Sequence, residues 1–125
     1  MGVLPGLAAS AGLEVKEGDT ALVMGTGAVP VLATPRLIAL CEEATMAALA
    51  GSLNEGCSTV GVGFQIEHIA PCAVGTHIVA EAHLDRIEGR KLLFTVSARD
   101  SRGLVAAGKV TRVIIEMERF MEKTR

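Results

Sequence analysis

Residues 31–49 read VLATPRLIALCEEATMAAL, and the fold turns on them. Thr34-Pro35 marks a helix start: a Thr hydroxyl caps free backbone N–H groups, and Pro at the first helical position sacrifices no hydrogen bond. The interior is dense in Ala, Leu, Met and Glu, and Gly51 with Asn54-Glu55-Gly56 stops it. A helix is therefore predicted from Thr34 to about Leu53. At about 100° per residue, Leu37, Ile38, Cys41, Ala44, Thr45, Ala48 and Leu49 form one broad apolar stripe. Two adjacent carboxylates interrupt it. Glu43 lies opposite the stripe, beside Arg36, and is predicted on the solvent face. Glu42 falls on the stripe's edge, between Ile38 and Leu49 on one side and Met46 and Leu53 on the other, and is predicted at least half buried. A buried carboxylate is costly unless paired or hydrogen-bonded, and such groups gather at functional sites.

Beyond the helix the hydrophobic period falls to two, the signature of strands. Over 57–69, Val60, Val62, Phe64 and Ile66 alternate with Thr59, Gly61, Gln65 and Glu67. Over 76–87, Ile78, Ala80, Ala82 and Leu84 share a face; over 91–99, Leu92, Phe94, Val96 and Ala98 do. Glu88-Gly89-Arg90 reads as a hairpin turn, and Asp100-Ser101-Arg102-Gly103 as the next. Residues 104–117 are predicted as a long strand, and MERFMEKTR as a short terminal helix or tail. Upstream, residues 1–12 read as a loose lead-in and Leu13–Met24 as a short extended segment. Tight turns imply an antiparallel sheet, and one helix to cover it implies an α+β architecture. The last strand carries Leu104, Val110 and Ile114 on one face and Val105, Val113 and Ile115 on the other. One helix covers one face, so the second face is expected to meet another copy, giving a homodimer or a higher homo-oligomer.

The composition narrows the function. The chain has 125 residues, 50% of them hydrophobic, and a net charge of −2, which fits one domain over 1–125. With no basic excess, three Phe and neither Trp nor Tyr, it lacks the charge and stacking platforms of a nucleic-acid binder. No apolar run is long enough to span a bilayer, the N-terminus lacks a basic leader region, and Gly6 stands where a myristoylation motif requires Ser or Thr. A cytoplasmic protein without membrane partners is expected. Cys41, Cys57 and Cys72 show no CxxC spacing, and His68, His77 and His83 no zinc spacing, so no metal site is predicted.

His68 shares parity with Val60, Val62, Phe64 and Ile66, which aims an imidazole at the helix side of the sheet. Glu42 approaches the same layer from the helix, and together they suit acid–base chemistry. Thr34 admits two readings: a plain N-cap, or a hydroxyl beside free helix N–H groups suited to water or an oxyanion.

The helix opening VLATPRLIALCEEA, the strand GVGFQIEHIAP, the hairpin VGTHIVAEAHLDRIEGRKLLFTVSARD and the strand GKVTRVI resemble the fluoroacetyl-CoA thioesterase-like branch of the hot-dog superfamily, from about Val15 onward. The resemblance implies a hot-dog fold: a curved antiparallel sheet of about five strands wrapped around one long helix, and usually paired sheet to sheet in a dimer. It implies hydrolysis of a small acyl-CoA thioester, with CoA as part of the substrate and no separate cofactor. It implies a functional set of Thr34, Glu42 and His68, with Arg112 at the family's arginine position. The segment before the helix, TALVMGTGAVPVLA, holds no aromatic residue, so the acyl group stays open.

In the mechanism this implies, Glu42 serves as base or nucleophile, His68 orients or protonates, and Thr34 positions water or the carboxylate. Backbone N–H groups at the helix start, or at Gly61 and Gly63, hold the carbonyl oxygen. Arg90, Lys91 and Arg102 are candidates for the CoA phosphates. Eight helical residues span about 12 Å, so a capping Thr34 does not reach Glu42 of its own chain. Either the helix starts later, or the set is shared across a dimer. A non-catalytic acyl-CoA-binding module, a hot-dog hydratase or dehydratase, and a purely structural oligomer with Glu42 and His68 satisfied by water are the alternatives.

Overall fold

Alternating side chains sort the chain into five strands. In the computed structural model, which describes residues 2–125, these are β1 (Ala8–Glu14), β2 (Cys57–His68), β3 (His77–Glu88), β4 (Lys91–Asp100) and β5 (Gly103–Glu116). They form one antiparallel sheet in the order β1-β3-β4-β5-β2. A 3-10 turn (Glu17–Asp19) and a four-residue helix α1 (Ala21–Met24) lead to the long helix α2 (Thr34–Leu49), and α3 (Met117–Glu122) follows β5. This is the expected hot-dog arrangement. Among the described residues no helix is long and apolar enough to cross a membrane.

The helix buries Leu37, Leu40, Cys41, Ala44, Thr45, Ala48 and Leu49. Leu40 replaces Ile38 in the expected stripe; Ile38 is only partly buried. Its sheet partners are the expected faces of β3 (Ile78, Ala80, Ala82, Leu84) and β4 (Leu92, Phe94, Val96, Ala98), all at most 2% exposed. Gly89, at φ +64, makes the β3–β4 hairpin in a backbone region that disfavours larger residues.

Several expectations are corrected. The lead-in is no loose segment: Ala8–Glu14 pairs along β3 from Ala8↔His83 to Glu14↔His77. Its small Ala, Ser and Gly side chains carry little periodic signal. The extended segment ends at Glu14, and Thr20 then caps α1 by accepting from the Val23 N–H. The helix ends at Leu49 instead of Leu53, because Gly51 takes a left-handed φ of +79 directly after its cap.

The largest correction concerns β2. Gly61 pairs with Arg112 and Gly63 with Thr111, so Val62 is an extra, unpaired residue. This β-bulge reverses the parity of the strand. Before it, Thr59 and Gly61 face the helix; after it, Phe64, Ile66 and His68 do, opposite Val110, Gly108 and Ala106 of β5. Val60 and Val62 therefore leave the core face, and Val62 is 55% exposed. A second irregularity, where Ala98 pairs with Ala106 and Arg99 with Leu104, buries both Val105 and Ala106. Val105 joins the core and does not share an outer face with Val113 and Ile115.

Candidate active site

Thr34 is the first helical residue, and Ala33 occupies the cap position without a side-chain bond. The Ala33 carbonyl accepts the first helical hydrogen bond, from the Leu37 N–H at 3.0 Å. The Thr34 hydroxyl is thus released from capping and lies 2.8 Å from Nδ1 of His68, the last residue of β2. The ring's other nitrogen, Nε2, is buried and has no hydrogen-bond partner among the described residues. Leaving such an atom unpaired costs about 1–3 kcal/mol, which singles it out as a group awaiting a ligand. Burial lowers the His68 pKa below its ordinary 6.5, and the nearby Ala70 carbonyl opposes this more weakly without reaching hydrogen-bond geometry. The neutral imidazole is the form favoured at neutral pH. If Thr34 donates to Nδ1, Nε2 carries a proton to give; if Nδ1 donates to Thr34, Nε2 is a base.

Glu42 belongs to a second constellation. Its Oε2 accepts from Nη1 of Arg112 at 3.0 Å. Arg112 is 5% exposed, and its other donors go to the Thr59 hydroxyl (Nε, 2.8 Å) and the Thr59 carbonyl (Nη2, 3.0 Å). The Thr59 hydroxyl in turn donates to the Met46 thioether sulfur at 3.5 Å. A buried guanidinium needs this full set, because an unpaired buried charge is strongly destabilising. Glu42 retains 34% side-chain exposure, so its carboxylate is fixed by Arg112 yet reachable. Gly61 makes room for it: a Cβ there would stand 2.5 Å from Glu42 Oε2 and 2.8 Å from the Phe64 ring.

The expected set is therefore split. Thr34 meets His68, Glu42 meets Arg112, and about 12 Å of helix separates Thr34 from Glu42. Gly61 lies under Glu42, while Gly63 pairs with Thr111 on the other face, where a Cβ would meet only the Thr111 side chain at 3.8 Å. Glu43 is exposed and bonded to Arg36 at 3.1 Å, as its helix position predicts. Arg102 stands in the β4–β5 turn beside Ala70 and Pro71, near the His68 end, whereas Arg90 and Lys91 sit at the opposite end of the sheet. Sequence reasoning missed Thr59 and Met46. The signal for Thr59 was Gly61 and Gly63 in one strand, since strand glycines mark bulges and a bulge turns Thr59 inward.

The Thr34–His68 pair opens into a cleft of about 440 Å³, lined also by Val29, Val31, Leu32 and Ile69. Among the described residues no group of His, Cys, Asp and Glu is placed to hold a metal ion. The Cys41 thiol, buried under α2, has its pKa pushed up to about 11, which leaves it unreactive at neutral pH.

Comparison with known proteins identifies the family and the fold. Residues 15–118 match the family described as fluoroacetyl-CoA-specific thioesterase. The fluoroacetyl-CoA thioesterase of Streptantibioticus cattleyicolor is 33% identical over 95 residues, covering 76% of this chain and 68% of that protein. A solved structure of the fluoroacetyl-CoA thioesterase superposes with a TM-score of 0.92 at 27% identity, covering 100% of this chain and 97% of that one. A mutant of that enzyme in complex with fluoroacetate and CoA superposes at 0.88 and 27% identity, covering 94% of this chain and 99% of that one. A thioesterase superfamily member from Thermus thermophilus shares the fold, with a TM-score of 0.90 at 24% identity over 98% of this chain and 91% of that one.

Proposed function

The chain belongs to the fluoroacetyl-CoA-specific thioesterase family and is an acyl-CoA thioester hydrolase, and we propose that Glu42, His68 and Thr34 carry the reaction in a site shared between two copies. The observation that carries this reading is the split itself: two polar pairs, each incomplete, on one face of an edge strand. Among the described residues β2 has no neighbour on one side. Antiparallel pairing of two β2 edges about a two-fold axis at Gln65 sets Phe64 opposite Ile66 and, with the extra residue Val62 skipped as it is against β5, His68 of one strand opposite Gly61 of the other. Directly opposed residues share a face and lie about 4.5–5.5 Å apart. His68 of one copy then stands beside the Glu42 carboxylate that overhangs Gly61 of the second. Val62 and Phe64, 55% and 40% exposed, supply the apolar contact.

In this arrangement Glu42 takes a proton from water as the oxygen attacks the thioester carbon. Arg112 and Thr59 hold the carboxylate in place. Thr34 donates to Nδ1 of His68, so the Nε2–H hydrogen-bonds the departing sulfur as the C–S bond breaks, and the proton held by Glu42 passes on to that thiolate while the new carboxylic acid ionises to solvent. The products are a carboxylate and the free CoA thiol. Soluble acyl-CoA is the substrate partner, and no separate cofactor enters these steps.

Thiol release tests this directly. Glu42→Gln should lower turnover about 10³-fold, within the range of acid–base contributions, while keeping an amide oxygen for Arg112. Glu43→Gln should stay within twofold of the parent, and equal losses in both would sink the assignment. Mixing Glu42→Gln with His68→Ala, after subunit exchange, should restore roughly a quarter of parental activity, because half the dimers then hold one intact site. No restoration would return the site to a single chain. Saturable acyl-CoA binding without release by the parent would mark a binding module instead.

A further inference from the structure

The cleft beside His68 has a character of its own. None of its lining residues is Asp, Glu, Lys or Arg, and most are aliphatic or small: Val29, Val31, Leu32, Ile69 and Pro71 surround the Thr34–His68 pair. Two of these walls are open, with Val29 54% and Ile69 58% exposed. The neighbouring α1 adds Leu22, Val23 and Met24 at 54%, 63% and 41%. Contiguous apolar exposure of this kind beside an unpaired, buried His68 Nε2 marks a surface that a ligand covers.

Size and charge narrow the ligand. A water molecule's share of liquid volume is about 30 Å³, and a heavy atom of an acyl group is comparable. A two-carbon acyl group, with three heavy atoms, would therefore cover only part of the open cleft and leave the apolar walls at Val29 and Ile69 bare. A terminal carboxylate would find no cation among the lining residues. Arg36, the nearest cation along α2, is engaged by Asp19 at 3.2 Å and Glu43 at 3.1 Å, and Arg102, beyond Ala70 and Pro71, lines the neighbouring groove with Asp100 and not this cleft.

Resting on the thioesterase reading above, we infer that this cleft is the acyl subsite and that it takes an uncharged aliphatic chain of about four to eight carbons in preference to a two-carbon or carboxylated acyl group. The thioester carbonyl lies beside Thr34 and His68, and the chain runs over Val29, Val31 and Ile69.

The experiment compares kcat/KM for acetyl-, fluoroacetyl-, butyryl-, hexanoyl- and succinyl-CoA, and binding of the non-hydrolysable thioethers S-ethyl- and S-hexyl-CoA by calorimetry. Burial of each methylene in a partly open cleft should raise kcat/KM about two- to fourfold, hence at least roughly tenfold from acetyl to hexanoyl. Succinyl-CoA, with butyryl's chain length and an added charge, should fall at least roughly tenfold below butyryl-CoA. Val29→Asp, at an exposed position that folding tolerates, should shrink the hexanoyl-to-acetyl ratio. A flat profile, or a preference for fluoroacetyl- or succinyl-CoA, overturns the inference. If no thioester is hydrolysed, the catalytic reading fails on its own. Tighter binding of S-hexyl- than S-ethyl-CoA then still supports the subsite, and equal binding overturns it.

Discussion

The two halves of β2 obey opposite rules. From Cys57 to Gly61 the odd-numbered residues face α2; from Gly63 to His68 the even-numbered ones do. A regular strand would send Gly61 and His68, seven residues apart, to opposite faces. The single extra residue at Val62 turns both toward the helix. The first half then handles charge, with Arg112 buried against Thr59 and Glu42 overhanging Gly61. The second half handles the imidazole, with His68 held by Thr34 beside an apolar cleft. A bulge costs one ladder position, and here it sets both groups along one edge.

The sharpest way to break this arrangement is at its two glycines. An alanine methyl at position 61 would collide with Glu42 Oε2 and the Phe64 ring, at 2.5 and 2.8 Å. The carboxylate sits at the end of a flexible, one-third exposed side chain, so it yields while the fold holds. Gly61→Ala should cut turnover about 10²- to 10³-fold, approaching loss of the general base itself. Gly63→Ala has room, at 3.8 Å from Thr111, and should stay within about threefold. Comparable losses in the two variants, measured by thiol release with circular dichroism to confirm folding, would show that the faces are not divided as described.

Most of the fold was legible because large aliphatic side chains announce their period. Ile78 to Leu84 and Leu92 to Ala98 fall on the expected faces without exception, and Glu43 was separated from Glu42 by helix angle alone. The illegible parts share a cause. Ala8–Gly12 of β1 is all Ala, Ser and Gly, so its alternation is nearly silent. In β2, Val60 and Val62 mimic a regular inward stripe, and only the glycines on either side of Val62 hint that the period breaks. His68 pointed inward as predicted, although the parity argument held only for the half of the strand beyond the bulge. The pairing of Thr34 with His68 depends on Ala33 taking the cap, which a Thr-Pro start conceals.

The imidazole half of the comparison is sharpened by pH. Burial holds the His68 pKa below its ordinary 6.5, so the neutral ring persists into mildly acidic solution. Activity should therefore fall on an acid limb with its midpoint below 6.5, and the same midpoint should appear in the NMR titration of the His68 ring. The linkage has a definite sign. The unfolded chain protonates its imidazole first, so His68 penalises the folded state as pH drops from 6.5 toward the folded pKa, and the penalty is absent above that window. His68→Gln, which keeps a side-chain N–H and an acceptor for Thr34, should lower kcat about 10²-fold and abolish this part of the pH dependence of stability. A limb that survives unchanged in the variant would assign it to another group.

The smallest expected effect tests whether the charged half is a device for aiming Glu42 or only a way to bury an arginine. Thr59 touches no substrate in the proposed site; it acts through Arg112, accepting from Nε at 2.8 Å and offering its carbonyl to Nη2 at 3.0 Å. Thr59→Val keeps the volume and the carbonyl but removes the hydroxyl. Nε then loses its acceptor in a buried site, at a cost of about 1–3 kcal/mol, and the guanidinium gains freedom to tilt away from Glu42. Because the carboxylate is displaced and not lost, kcat should fall roughly tenfold while KM barely moves, the pattern of an interaction that matters in the transition state. Thr59→Ser restores the oxygen and should return kcat to within about twofold, although it forfeits a methyl group and some stability. The two readouts separate the readings: a Thr59→Val protein with a lowered Tm but parental kcat would make Thr59 a packing residue that satisfies Arg112, whereas lost kcat regained by Ser, whatever the Tm, makes it a positioning residue for Glu42.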